Sequence, residues 1–204
     1  MAAYRRAVSL APRRVDILYN LGNALQDMER SEEAAACYKK VISVQPDHHS
    51  AWYNLGYICE EQDRLAEAAD CFQMAVQHDP SDKDSYIQLG NIYMQLESAQ
   101  KAIEAYKTVL ELEPDCVMGH YNLGSAYHHI NMLDDAERHF KNSVALDQGY
   151  ADAYFNLGIV HQDKGRLNDA LACYEKAAKL SPAFTEAADA AVALSNEIGA
   201  AAAR

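Results

Sequence analysis

Residues 51–58 read AWYNLGYI, and the core of this stretch, YNLG at 53–56, returns at 19–22 and 121–124, with IQLG at 87–90 and FNLG at 155–158. The Leu-Gly pair therefore recurs at Leu21, Leu55, Leu89, Leu123 and Leu157, always 34 residues apart. Other positions keep the same interval. Alanine stands at Ala34, Ala68, Ala102, Ala136 and Ala170, and an aromatic at Tyr38, Phe72, Tyr106, Phe140 and Tyr174. Proline closes four of the units, at Pro46, Pro80, Pro114 and Pro182, with Gln148 in the remaining place. Five full repeats result: 15–48, 49–82, 83–116, 117–150 and 151–184.

Each repeat reads as two helices. Counting from 1 within a repeat, positions 4, 7, 8 and 11 are three or four apart and share one helical face. In the second repeat these are Trp52, Leu55, Gly56 and Cys59. Glycine at position 8 costs about 1 kcal/mol against alanine in a helix interior, so its return in every repeat implies a close approach by a second helix. That helix presents Ala68 and Phe72, again four apart. Proline near its end stops it, lacking an N–H and disfavouring helix in the residue before. Where Gln148 stands instead, Gly149 is expected to supply a left-handed C-cap.

The pattern Trp52-x2-Leu55-Gly56-x2-Cys59, then Ala68-x3-Phe72, then Pro80 resembles the tetratricopeptide repeat. The resemblance covers residues 15–184, with departures at Cys59, His161, His120 and Gln148. It implies an all-α, right-handed α-solenoid of helix-turn-helix repeats. YRRAVSLAP (Tyr4–Pro12) looks like the second helix of a truncated repeat over 1–14, as in a piece cut from a longer chain. Residues 185–204 read as a capping helix from about Glu186 to Ile198, with a frayed tail from Gly199.

The asparagine of YNLG belongs to the remaining face of the first helix. At about 100° per residue, positions 2, 5, 6, 9, 12 and 13 point away from position 4. First helices line the concave surface of stacked helix-pair solenoids. Position 6 is Asn20, Asn54, Gln88, Asn122 and Asn156; position 5 includes Tyr19, Tyr53 and Tyr121; position 9 includes Asn23, Tyr57 and Asn91. Not one of these thirty positions is Lys or Arg, although the chain has eighteen such residues. A side-chain amide carries an acceptor and two donors, so one amide per repeat can pair with the backbone of an extended peptide whatever its sequence. Tyrosines add apolar contact with a polar tip. The alternative role for position 6 is a bond to the adjacent helix.

This ladder resembles the superhelical repeat region of O-GlcNAc transferase, whose asparagines hold substrate backbone; the resemblance carries to Asn20, Asn54, Asn122 and Asn156, while Gln88 keeps the amide on a longer arm. It does not extend to catalysis. Chaperone-binding repeat domains use a two-carboxylate clamp of Lys, Asn and Arg. Asn23 and Asn54 match its asparagines, but Tyr19, Asp84 and Gln88 stand in its basic places, which argues against acidic C-terminal tails as ligands.

The formal charge of −12 opposes nucleic acid as a partner and favours a basic or neutral protein segment. No apolar run reaches the roughly 18 residues that span a bilayer, and no signal-peptide core is present. Five cysteines without a CxxC pair read as reduced, packed thiols of a cytoplasmic protein. No metalloprotease, P-loop or dinucleotide motif occurs. His120 is expected to face the core and His128-His129 the groove, so no metal site forms; His48-His49 is expected to be solvated. No cofactor and no catalytic residue follows. The sequence thus supports a non-enzymatic module for protein–protein interaction that binds an extended peptide. The alternatives are a self-assembling scaffold, and so a homo-oligomer, or the substrate-recruiting region of a larger enzyme such as a glycosyltransferase.

Overall fold

A computed structural model describes residues 14–202. The half repeat expected over 1–14 lies outside the described residues, Arg14 apart. Among those residues the chain is all α-helical, and it falls into two compact units that divide between Ser98 and Ala99. The first unit holds α1 (Val15–Gln26), α2 (Ser31–Val44), α3 (His49–Glu61), α4 (Leu65–His78) and α5 (Lys83–Gln95). The second holds α6 (Ala99–Leu112), α7 (Val117–His129), α8 (Leu133–Leu146), α9 (Ala151–Asp163), α10 (Leu167–Leu180) and α11 (Thr185–Ala202). These are the helix pairs of the α-solenoid class that the 34-residue period implies.

The recurrent glycine is explained by a ring. A Cβ added to Gly22 would lie 2.6 Å from Tyr38 Cε1, and one on Gly158 would lie 2.6 Å from Tyr174 Cε1. At Gly56 and Gly124 the neighbour is the ring of Phe72 or Phe140, at 3.1 and 2.9 Å. Each ring belongs to the second helix of its own pair and is fully or almost fully buried. Burying such a side chain stabilises by roughly 1.5–3 kcal/mol, which exceeds the propensity cost of the glycine. The residues at positions 3 and 10 flank this contact: Ala51, Ile58, Ser85, Ile92, Ala126, Ala153 and Val160 are buried, while Ile17 and Ala24 are half-buried.

The turn between paired helices shares one conformation. Glu29, Asp63, Glu97, Asn131 and Gly165, all at position 15, have φ between 55° and 72°. The N–H of the following residue reaches back to position 11, as in Arg30 N to Leu25 O and Arg166 N to His161 O, both 2.9 Å. This is a Schellman ending, in which a left-handed residue lets orphan carbonyls be satisfied. Only Gly165 is the residue that conformation favours.

The second helices end in extended backbone, with Gln45 at φ −132° and Asp79 at φ −134° before their prolines. Asp147 adopts φ −129° without a proline after it. Gly149 does not supply the expected left-handed cap: Gly165 is the one described glycine with positive φ. Instead Asp147 Oδ1 accepts from Gly149 N at 2.8 Å. A side-chain turn thus does the work of the missing proline. The last helix, α11, buries Ala187, Ala191 and Leu194 and continues to Ala202, beyond Gly199 where fraying was expected.

Candidate functional site

The candidate residues come from the first helices of successive pairs: α1, α3 and α5 in the first unit, α7 and α9 in the second. Position 5 of one repeat meets position 6 of the next, 35 residues on. Asn54 Nδ2 donates to the Tyr19 hydroxyl at 3.3 Å. Asn156 Nδ2 donates to the Tyr121 hydroxyl at 2.9 Å. Tyr53 and Gln88 stand in the same register, 35 residues apart. The relation returns one helical stretch later, between positions 12 and 13: Gln95 Nε2 donates to Glu60 Oε1 at 3.0 Å, and His128 Nε2 lies 2.7 Å from Asp163 Oδ2. A row of polar pairs therefore ties adjacent first helices along their outer face.

The tyrosines have a packing duty too. The rings of Tyr19, Tyr53, Tyr121 and Phe155 sit 5.4–5.9 Å from those of Tyr38, Phe72, Phe140 and Tyr174 in the same repeat. A third ring, from position 34, covers three of them: His48 on Tyr19 at 4.8 Å, Tyr150 on Tyr121 at 5.0 Å and Phe184 on Phe155 at 4.9 Å. Burial raises the Tyr53 and Tyr121 hydroxyls above the usual phenol range, so both remain neutral hydrogen-bonding groups.

The other candidate residues divide in two. Asn23 is an internal link: its Oδ1 accepts from the Tyr38 hydroxyl at 2.7 Å and from Asn54 Nδ2 at 3.2 Å. Asn91 Nδ2 donates to Gln88 Oε1 at 3.3 Å, so that amide is partly engaged as well. Asn20 and Tyr57 are exposed, and Asn122 is half-buried. Position 5 departs from expectation once: Ile87 is buried and offers the outer face little. His48 departs as well, since its Nδ1 accepts from Ala51 N at 3.3 Å, capping α3 while its ring packs on Tyr19. The sequence signal for these links is the aromatic at position 34 and the amide-to-tyrosine interval of 35.

In the first unit the face deepens into a cavity of about 240 Å³, lined by Tyr19, His49, Tyr53, Asn54, Asp82 and Asp84 among others. Asp82 caps α5 by accepting from Asp84 N at 3.1 Å and from the Ser85 hydroxyl at 2.5 Å. His49 Nε2 lies 3.0 Å from the Ser50 hydroxyl and 3.8 Å from Asp79. Both contacts use one ring nitrogen, so the three are not arranged as a catalytic triad, in which base and orienter bond opposite nitrogens.

The cysteines behave as packing groups. Cys37, Cys59, Cys71 and Cys116 are buried and all five are free thiols. Burial pushes the Cys71 thiol up to about 12 and Cys173 to about 11. Among the described residues no group of three or more His, Cys, Asp or Glu could hold a metal ion. No described helix is long and apolar enough to cross a membrane.

The profile described as "Cilia and flagella-associated protein 70 C-terminal domain" matches residues 47–192, and "Tetratricopeptide repeat" matches 15–48. No curated protein sequence matches. Among solved structures, YrrB, described as a TPR protein with an unusual peptide-binding site, is similar at 25% identity, with 92% of this chain and 97% of that one covered and a TM-score of 0.80. MamA (41-end) from Desulfovibrio magneticus RS-1 is similar in fold at 17% identity, covering 83% and 96%, with a TM-score of 0.78. TTC0263, a thermophilic TPR protein in Thermus thermophilus, shares 20% identity over 89% and 98%, with a TM-score of 0.64.

Proposed function

This chain belongs to the family of the cilia and flagella-associated protein 70 C-terminal domain, built on tetratricopeptide repeats, and we propose that it is a non-catalytic interaction module that holds an extended, basic or neutral peptide on the outer face of its first helices. The fold is that of a protein–protein interaction scaffold. The observation that carries the finer reading is the 35-residue amide-to-tyrosine register. Tyr19 and Tyr121 engage the N–H groups of Asn54 and Asn156. That fixes each amide plane and leaves the carbonyl oxygen as the acceptor for a ligand N–H. Pre-orientation of this kind lowers the ordering cost of binding.

The ligand's charge follows from the same face. Its carboxylates include Asp84 and Glu60, and no Lys or Arg occupies its groove positions. The cavity beside Asn54 offers two phenol rings with Asp82 and Asp84, a lining suited to one Lys or Arg side chain of the peptide. The peptide-binding site named for YrrB supports the same use of the fold.

An array of immobilised extended peptides of graded charge tests this reading. Retention of the chain on basic and neutral peptides is expected. Preference for acidic peptides would overturn it.

A further inference from the structure

The fourth repeat carries a pair of residues that its siblings lack. Position 4 is Leu18, Trp52, Tyr86 and Tyr154 elsewhere but His120 here; position 23 is Cys37, Cys71, Ala105 and Cys173 elsewhere but His139 here. The two imidazoles meet between α7 and α8, with Nδ1 to Nδ1 at 2.9 Å and ring centroids 5.2 Å apart. Both residues are buried. A packing position held by apolar, aromatic or thiol groups elsewhere is here a hydrogen bond between two titratable rings.

The contacts around the pair assign every proton. His120 Nε2 lies 3.1 Å from the carbonyl of Pro114, which only accepts, so this nitrogen carries a hydrogen. In the neutral ring, His120 Nδ1 is then an acceptor, and His139 Nδ1 must donate to it. That makes His139 Nε2 an acceptor, and it lies 3.4 Å from Arg138 Nη2, a donor. The neutral pair is therefore satisfied at each contact. A proton added to His120 brings two N–H groups face to face. A proton added to His139 sets an N–H against the Arg138 guanidinium. The remaining neighbours bring mixed charge: Lys107 and Glu111 on α6 line a cavity beside His139, Tyr127 on α7 stacks on it at 5.6 Å, Asp135 on α8 binds Arg138, and Asp115 precedes α7.

We propose that the His120–His139 pair is an acid-sensitive latch that closes α7 on α8 near neutral pH and releases the fourth repeat in mild acid. Burial and the neighbouring positive groups hold His139 down to about 4, and burial lowers His120. The unfolded or opened rings titrate near their ordinary value of about 6.5. The open state thus binds more protons than the closed one below that value, and closure weakens as pH falls from about 6.5 toward 4. The population of the open state rises by up to about tenfold per pH unit for each histidine.

Hydrogen exchange of the whole chain at pH 7.5 and 5.0, corrected for intrinsic rates, tests the latch. Protection over 117–146 is expected to fall at least tenfold more than protection over 49–78. The variant H120Y/H139A, which installs the residues of the third repeat, should lose that difference. An equal fall in both segments, or an acid effect retained in the variant, would overturn the proposal. The wild-type ring nitrogens give a second readout that needs no folded variant. Nitrogen NMR at pH 7.5 should show His120 protonated at Nε2 and His139 at Nδ1. Two Nε2-protonated rings that titrate independently near 6.5 would also overturn it.

Discussion

Tyr121 and Asn156 are joined by a 2.9 Å hydrogen bond that crosses from one first helix to the next. Tyr19 and Asn54 repeat it 102 residues earlier, at 3.3 Å. Asn54 and Asn156 are thus neither plain helix residues nor free rungs. A typical intramolecular hydrogen bond contributes about 0.5–1.5 kcal/mol net. Tyr121→Phe and Asn156→Ala are each expected to lower stability by about 1 kcal/mol, with most of the loss shared. A double-mutant cycle by urea unfolding should therefore give a coupling of about 0.5–1 kcal/mol. Additive effects would mean that the bond is not made.

The left-handed residue of each interhelical turn offers gains in stability. An L-residue pays roughly 1–2 kcal/mol in this region, with Asn among the better tolerated. Glu29 and Glu97 occupy it at φ 58° and 55°. Glu29→Gly and Glu97→Gly should each stabilise by about 0.5–1 kcal/mol, net of the extra freedom of the unfolded chain. Asn131→Gly should gain less, and Gly165→Ala should lose about 1 kcal/mol. Thermal melts of the four single variants give the ranking.

Glycine at position 8 should resist alanine to different degrees. At Gly22 and Gly158 a Cβ would meet a tyrosine ring at 2.6 Å, but at Gly56 the nearest ring atom is at 3.1 Å. Overpacking of a tight core costs about 1–3 kcal/mol, against about 1 kcal/mol gained in helix propensity. Gly158→Ala should therefore destabilise clearly, while Gly56→Ala should be close to neutral. Denaturant midpoints measure both.

Glu137 anchors the second unit's charge network, bonding Lys141 at 2.6 Å, Lys164 at 2.6 Å and Arg166. Burial raises its carboxyl, but the hydrogen bonds from Arg166, Lys141 and Lys164 outweigh that and hold it well below the usual carboxylate range. Its folded-state pKa is depressed, so its stabilisation is present above the unfolded value of about 4.3 and is lost as pH falls through the folded one. Glu137→Gln should lower Tm at pH 7 by roughly a few degrees. The gap to wild type should narrow below about pH 4 and stay constant between about pH 5 and 7. Calorimetry across that range separates Glu137 from the histidine pair, whose window lies higher.

The helix pairs were legible because one rule repeats. Gly22, Gly56, Gly124 and Gly158 each meet a ring sixteen residues on, and five copies make that spacing unmistakable. The left-handed position 15 was illegible because four of its five residues are Glu, Asp or Asn and only one is Gly; a backbone held by its surroundings overrides local preference. The outer face was half legible. Angular position alone put Asn54 and Asn156 there. Their bonds to Tyr19 and Tyr121 depend on how one repeat is offset from the next, which no single helix encodes. Gly149 misled because Asp147 supplies the turn with its side chain instead.

The decisive comparison is between two pairs of substitutions that each break both tyrosine-to-asparagine bonds. Tyr19→Phe with Tyr121→Phe removes the hydroxyls and leaves the amides. Asn54→Ala with Asn156→Ala removes the amides and leaves the hydroxyls. The asparagine pair should cost somewhat more stability, because Asn54 also donates to Asn23. Titration calorimetry with the best-retained basic or neutral peptide should show the asparagine pair weakening binding at least tenfold and the tyrosine pair only about twofold to threefold, in proportion to lost amide pre-orientation. Equal affinities for wild type and both variants would show that the amides serve only to tie one repeat to the next.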